Sequence, residues 1–198
     1  MITDHASRFR CIAIGISAGG VKALPMALSL LPANFPIPVV VVHHMVSDGD
    51  NSYFISHLDK RIQLKVKEAD EKEPIMRGYV YMAPVNYHLL VEDDETFSLS
   101  VDARVHYCRP SIDVLFKSAV DVYKSKLIGV ILTGANNDGA EGLKKIKQCG
   151  GLAIVQDPKG AESDAMPRAA LAACKADYVL SLEEIASFLK EISSNRIR

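Results

Sequence analysis

The residues with the clearest chemical potential lie at a bend within the segment IAIGISAGGVKAL, residues 12–24. Gly15, Ser17 and Gly19 fit the pattern G-x-S-x-G, in which small neighbours permit a strained strand-to-helix turn that projects a serine hydroxyl. A hydroxyl held in this way becomes a nucleophile once a base takes its proton. Serine at a helix start is also a common helix cap, so this segment alone leaves both interpretations open.

Two phosphate-binding patterns fit the same segment less well. The dinucleotide pattern G-x-G-x-x-G needs a second glycine where Ser17 stands. The P-loop pattern needs Lys-Ser/Thr after its last glycine, whereas Val21 and Lys22 follow Gly20. A nucleotide- or phosphate-binding protein is therefore an alternative class of function that neither pattern fully supports.

A nucleophilic serine needs a base, and the base needs a carboxylate that orients it. The run VVVVHH ends in His43 and His44, and GVILTGANND ends at Asp138. Because the carboxyl ends of parallel strands meet at one edge of a sheet, we expect these side chains near Ser17. Neighbouring strand residues point to opposite faces, so one histidine faces the serine, and His44, nearer the strand end, is preferred.

Asp138 has two interpretations. It lies at the start of a predicted helix, where the helix dipole and free backbone donors should keep its carboxylate ionised. Taken alone, an aspartate in this position is typical of an ordinary cap in a turn.

These side chains need a sheet that brings strand ends together, and the hydrophobic pattern predicts one. Short apolar runs rich in β-branched residues are typical of strands buried on both faces, and helical spacing follows them. The runs are FRCIAIG, PVVVVHH, KLIGVILTG, LAIVQ and DYVLSL. This alternation predicts the α/β class, with a doubly wound, mostly parallel sheet flanked by helices.

Two other segments complete the predicted architecture. Four strand-like runs lie within residues 62–101 with no helix between them, which predicts an antiparallel hairpin excursion in the middle of the chain. They are IQLKVKEA, GYVYMAP, YHLLVED and TFSLSV. The last helix should begin with a capping box, because Glu184 follows Ser181 at the required spacing.

Composition narrows the class of protein. A chain of 198 residues that is 48% hydrophobic and 24% charged suits one globular domain over residues 1–198. The net charge of −1 gives no reason to expect nucleic acid or an anionic membrane as a partner. No apolar run approaches the ~20 residues of a membrane span, and the N-terminus has no signal-like apolar region, which predicts a cytoplasmic protein.

The remaining metal and redox candidates are weaker. Four widely spaced cysteines suggest neither a zinc site nor a disulfide framework. They are Cys11, Cys108, Cys149 and Cys174. Four histidines lack a partner at ligand spacing and are expected to be structural or solvated; they are His5, His57, His88 and His106. An isolated metal site is disfavoured, although residues 136–138 offer oxygen ligands that a cation could use.

Seven segments, in order, resemble the catalytic domain of the chemotaxis protein-glutamate methylesterases, the CheB family, over essentially the whole chain. They are IGISAGG, VVHHM, YVYMAP, RPSIDVLFKSA, GVILTGANNDGAEGL, GGLAIVQDP and AMPRAA. The family fold is a doubly wound α/β sheet. Carried over by motif, the family's nucleophile, histidine and aspartate are Ser17, His44 and Asp138, the residues that the sheet-edge argument reached independently.

The sequence departs from the family pattern around these residues. Ala18 stands where a threonine commonly follows the nucleophile, His43 where a glutamine often precedes the histidine, and Ala135 where a methionine is usual. The backbone N–H groups of Ala18 and Ala135 can still line an oxyanion hole, because that role does not depend on the side chain. Gly19 and Asn136 are the other residues expected to line the site.

The resemblance implies a function. It implies hydrolysis of glutamate 5-methyl esters on the cytoplasmic helices of a methylated chemoreceptor, through an acyl-enzyme and without a cofactor, with glutamine deamidation as a candidate second activity. The sequence lacks the receiver domain that precedes this module in two-domain members, so it is expected to be either a stand-alone or hybrid type or a piece of a longer protein, and we prefer the first. A receiver domain or a methyltransferase acting in trans is a candidate partner. A catalytically inactive signalling module of the same fold is a further alternative.

Overall fold

The structure, a computed structural model, describes residues 8–45 and 51–193. Within these residues the strands are β1 (Cys11–Ile16), β2 (Val39–His43), β3 (Lys65–Glu68), β4 (Tyr79–Met82), β5 (His88–Val91), β6 (Phe97–Ser100), β7 (Leu127–Ile131), β8 (Leu152–Gln156) and β9 (Tyr178–Leu180). The helices are α1 (Gly20–Leu28), α2 (Ser52–Asp59), α3 (Ile112–Tyr123), α4 (Ala140–Gln148), α5 (Ala165–Ala173) and α6 (Leu182–Ser193).

Seven strands form one parallel sheet in the order β3-β4-β2-β1-β7-β8-β9. On one side of β1 the chain adds β2, then the outermost strand β3, and then β4 between them; on the other side it adds β7, β8 and β9 in order. This confirms the predicted doubly wound sheet. The switch point lies between β1 and β7, and in such sheets ligands bind in the crevice outside the carboxyl ends of the strands at that point.

Helices cover both faces of the sheet, as the uninterrupted apolar strands require. Alternate residues of β1 enter opposite layers of the core. Ile12 and Ile14 pack in the layer that contains α1, α2 and α6. Cys11 and Ala13 pack in the layer that contains α3, α4 and α5. The sheet is therefore buried on both sides, and its carboxyl edge remains the place where polar side chains can gather.

The middle of the chain differs in part from the prediction. The antiparallel hairpin is confirmed, but only β5 and β6 form it. The two preceding runs become β3 and β4, which pair in parallel and extend the main sheet beyond β2. A loop over residues 69–78, rather than a helix, makes the crossover from β3 to β4.

Two predicted local features can be checked directly. The capping box of α6 is present, because Ser181 N donates to Glu184 Oε2 at 2.8 Å and Glu184 N donates to Ser181 Oγ at 3.3 Å. Within the described ranges, no helix combines the length and apolarity needed to cross a membrane.

Gly142 allows α4 to pack closely against α3. A Cβ atom at this position would lie 2.6 Å from Phe116 Cβ, a contact that side-chain rotation cannot relieve. We predict that Gly142→Ala lowers the free energy of unfolding by about 1–3 kcal/mol, because overpacking outweighs the better helix propensity of alanine. Urea denaturation measures the change.

Gly160→Ala is the matched control for Gly142→Ala. A Cβ atom at Gly160 would meet no atom within 4 Å, so its effect should stay within about 0.5 kcal/mol. Equal effects of the two substitutions would contradict the close approach of α3 and α4.

Candidate active site

Ser17 lies in the sharp turn between β1 and α1. Its N–H donates to Thr133 O at 3.0 Å, and its carbonyl accepts from Gly20 N at 2.9 Å. Gly19 has a φ of 83°, and a Cβ atom there would lie 3.0 Å from Thr133 Oγ1, so this turn requires glycine. The turn thus places Ser17 at the carboxyl edge of the sheet, half-buried, between the ends of β1 and β7.

Thr133, which sequence reasoning missed, holds this turn in place. Its side chain is buried, and Oγ1 donates to Ala18 O at 2.8 Å and accepts from Ser163 N at 2.9 Å. Its own N–H donates to Gln156 Oε1 at 2.8 Å. The only signal in the sequence is a polar residue that directly follows the apolar run of β7.

His44 directly follows β2, and its N–H donates to Ile16 O at 3.0 Å, which places its backbone beside that of Ser17. Its Nε2 lies 2.9 Å from Asp138 Oδ2. Its Nδ1 faces Asn136 Nδ2 at 3.2 Å and Cys108 Sγ at 3.7 Å. In the neutral imidazole the proton therefore belongs on Nε2, in the bond to Asp138, and Nδ1 keeps its lone pair.

Asp138 is fully buried and accepts hydrogen bonds from several groups besides His44. Its donors are Ser111 Oγ at 2.9 Å, Ile112 N at 2.7 Å, Asp113 N at 3.1 Å and Gly139 N at 3.0 Å. The sequence predicted that the N-terminus of the following helix, α4, would stabilise the Asp138 carboxylate. A helix N-terminus does so, but it is chiefly that of α3. Most of these donors come from the start of α3, and the residue that caps α4 is Gly139.

The hydrogen bonds set the charge states of this cluster. Burial lowers the pKa of His44, but its hydrogen bonds to Asp138 and Cys108 outweigh that effect and raise the pKa to about 9. Burial raises the pKa of Asp138, but hydrogen bonds from His44, Ile112 N and Asp113 N hold it below its ordinary value. Asp138 is therefore an anion at neutral pH, as the sequence predicted.

His43 takes a different role from His44. Its ring packs against Phe54, with the two centroids 4.6 Å apart. Burial lowers its pKa to about 4, so the imidazole stays neutral. His88 is a structural residue, because Ser111 N donates to its Nδ1 at 3.2 Å and Ala103 O lies 3.1 Å from its Nε2. His5 lies outside the described residues.

The structure brings His44, Asp138 and Asn136 into direct contact and places Ser17 next to them through the backbone. Within residues 8–45 and 51–193, the Ser17 hydroxyl makes no hydrogen bond to His44, a contact that often forms only when substrate is bound. In the same ranges, the N–H groups of Ala18, Gly19, Ala135 and Asn136 make no hydrogen bond. These four donors therefore have no backbone acceptor within the described residues.

A cleft of about 370 Å³ opens in front of His44. It is lined by side chains that include Met45, Asn86, Arg104, Cys108 and Arg109. Arg109 stabilises one wall of the cleft, because its Nη1 donates to Val101 O at 2.6 Å and to Asp102 O at 3.0 Å. The cleft is large enough for one extended side chain to reach the imidazole.

A parallel sheet with a serine, a histidine and a buried aspartate at its carboxyl edge carries the residue types that serine hydrolases use. A family model described as CheB methylesterase matches residues 12–189. The chain belongs to the CheB methylesterase family.

Individual relatives agree with this assignment. A Leptospira interrogans protein, provisionally named protein-glutamate methylesterase/protein-glutamine glutaminase, is 54% identical over 96% of this chain and 97% of its own length. A Thermotoga maritima protein-glutamate methylesterase/protein-glutamine glutaminase is 37% identical, and the chain spans about half of it, 56%. The crystal structure of the T. maritima CheB methylesterase catalytic domain superposes with a TM-score of 0.88 at 37% identity, covering 93% of this chain and 98% of that one.

Proposed function

We propose that this protein hydrolyses glutamate 5-methyl esters on chemoreceptors, with Ser17 as nucleophile, His44 as general base and Asp138 as the carboxylate that orients it. The observation that carries the proposal is the 2.9 Å contact between His44 Nε2 and Asp138, beside the turn that presents Ser17. The names of the relatives support the substrate class. The acyl-transfer chemistry follows from the residue types and their order along the sheet edge.

The reaction begins when His44 Nδ1 takes the proton of the Ser17 hydroxyl, since Nε2 is engaged by Asp138. Oγ attacks the ester carbonyl, and the negative charge that develops on its oxygen is stabilised by the free N–H groups of Ala18 and Ala135, with those of Gly19 and Asn136 nearby. The imidazolium then gives its proton to the departing methoxide, which leaves as methanol.

Deacylation repeats the sequence with water. Neutral His44 takes a proton from water as it attacks the acyl-enzyme, and Ser17 regains its proton when the C–O bond breaks. The products are a glutamate carboxylate and the free enzyme. The same steps release ammonia from a glutamine side chain, and the second part of the relatives' names supports this deamidation as a second activity.

The substrate is a protein, so we propose that the cytoplasmic helices of a methylated receptor lie across the mouth of the cleft and insert one modified side chain. A receiver domain or a methyltransferase acting in trans is a candidate regulatory partner, in keeping with relatives about twice the length of this chain.

Methanol release from methylated receptor fragments, measured beside a panel of small methyl esters, tests the proposed function. We expect release from the receptor with a kcat/KM at least about 100-fold above that of the small esters, because remote contacts contribute to transition-state binding. Nucleotide binding in calorimetry, without methanol release from any ester, would instead favour a phosphate-binding protein.

The pH dependence of kcat/KM should follow the ionisation of His44. Only the neutral imidazole can accept the Ser17 proton, and the pKa of His44 is raised to about 9. We therefore predict that kcat/KM rises about tenfold per pH unit through neutral pH and levels off near pH 9. If kcat/KM instead levels off near pH 6.5, the ordinary pKa of histidine, the result would contradict the coupling of His44 to Asp138.

A further inference from the structure

The proposed reaction leaves one reactive side chain of the cleft unused. Cys108 is half-buried, and its Sγ lies 3.7 Å from His44 Nδ1 and 3.4 Å from Asn136 Nδ2. The sequence gives no sign of this pair, because Cys108 and His44 are 64 residues apart along the chain. The fold brings a thiol to the same nitrogen that the reaction needs.

The separation of these two atoms matches that of two ligands on one zinc ion. Zn–S and Zn–N bonds of about 2.3 and 2.0–2.1 Å at a tetrahedral angle place sulfur and nitrogen about 3.6 Å apart. The other imidazole nitrogen is hydrogen-bonded to Asp138, which is the usual arrangement behind a zinc-bound histidine. Ligand atoms of His44, Cys108 and Asp138 all lie within 4.8 Å of one another.

We propose that His44 and Cys108 form a binding site for a thiophilic divalent cation, Zn²⁺, at the mouth of the active site. The ion binds His44 Nδ1 and Cys108 Sγ, and water completes its coordination. On binding, Cys108 loses its thiol proton and His44 loses its Nδ1 proton, both to solvent, as the Zn–S and Zn–N bonds form. Asp138 keeps its contact with Nε2, because the N-terminus of α3 holds its carboxylate in place.

Two features of the cleft limit the affinity to the micromolar range. Arg104 and Arg109 line the same cleft and repel a cation. The Asn136 amide, whose nitrogen now lies within 3.4 Å of both ligand atoms, must turn aside. The site therefore suits reversible binding rather than a permanent structural ion.

Zinc at this site would occupy the lone pair that accepts the Ser17 proton, so binding and ester hydrolysis exclude each other. The inhibition rests on the proposed function, but the binding does not. Measuring zinc binding with the Ser17→Ala variant therefore separates the two, since that variant retains both ligands whether or not the protein is an esterase.

Calorimetric titration of the untagged protein with Zn²⁺ tests the site. We expect one ion per chain with a micromolar Kd in the wild type and in Ser17→Ala, and a Kd at least about tenfold weaker in Cys108→Ala. Cys174→Ala is the matched control, because Cys174 is also half-buried but lies outside the cleft, and its Kd should be unchanged.

A second group of candidate metal ligands lies nearby, and zinc binding at that group instead would overturn the proposal. His106 Nε2 lies 3.4 Å from Asp113 Oδ2 and belongs to the other group of residues that could hold a metal. If His106→Ala abolishes zinc binding while Cys108→Ala leaves it intact, the ion lies elsewhere. Absence of binding at 1 mM Zn²⁺, on the order of a thousand times the expected Kd, would also overturn it.

Discussion

Replacing Ser17 by alanine should reduce methanol release from methylated receptor by at least about 10⁴-fold, because the acyl-enzyme can no longer form. The free energy of unfolding should change by less than about 0.5 kcal/mol, because the hydroxyl makes no hydrogen bond within the described residues. Receptor binding should also be retained, since the cleft that takes the modified side chain is unaltered. Single-turnover methanol release, with denaturation and binding measured on the same sample, checks the three expectations.

Ser29→Ala is the matched control for Ser17→Ala. Ser29 lies at the opposite end of α1, exposed, and its Oγ donates only to Met26 O at 2.8 Å. Its variant should retain full activity. A Ser17→Ala enzyme that releases methanol at the wild-type rate would exclude Ser17 as the nucleophile.

Replacing Asp138 by asparagine should produce the second-largest loss of activity, about 10³–10⁴-fold in kcat, because His44 loses the partner that fixes its tautomer. The variant should also be less stable, by about 3 kcal/mol, since an amide cannot accept all the hydrogen bonds that the carboxylate receives from α3. Without the carboxylate, the pKa of His44 should fall. The acidic limb of the residual activity should therefore move from about pH 9 toward lower pH.

Asp113→Asn is a control that separates the expected effect of Asp138→Asn on catalysis from its expected effect on stability. Asp113 is a second buried carboxylate in the same region, and its Oδ1 accepts from Gly142 N at 2.7 Å without touching His44. Its loss should destabilise the protein while leaving the pH profile in place and reducing kcat less than about tenfold. Similar losses of activity in both variants would mean that Asp138 acts only through stability.

The strands that pair with β1 were predictable because their apolar runs are continuous and helices separate them. The parallel pairing of β3 with β4 was not, because the loop over residues 69–78 makes their crossover without the helix that usually signals parallel pairing. Which strand a short apolar run pairs with depends on the whole sheet. Hydrophobic alternation within the run carries no information about its partner.

The residues of the candidate site were also predictable only in part. Ser17, His44 and Asp138 stand at strand ends in recognisable motifs, so the sequence locates them at one edge. The donors that hold Asp138 come from the start of α3, some 25 residues earlier in the chain, and Cys108 reaches His44 across 64 residues. Such contacts depend on tertiary packing between segments that are distant along the chain, and no local pattern reports them.

The most direct test of Ser17 as an activated nucleophile is its reaction with a fluorophosphonate, followed by mass mapping of the peptides. An activated Oγ displaces fluoride and keeps the phosphonate, whereas ordinary serines do not react. We predict one adduct per chain, on the peptide that contains Ser17, and none in the His44→Ala variant over the same time. An unmodified Ser17 in a folded protein, or an adduct at another serine, would contradict the assignment.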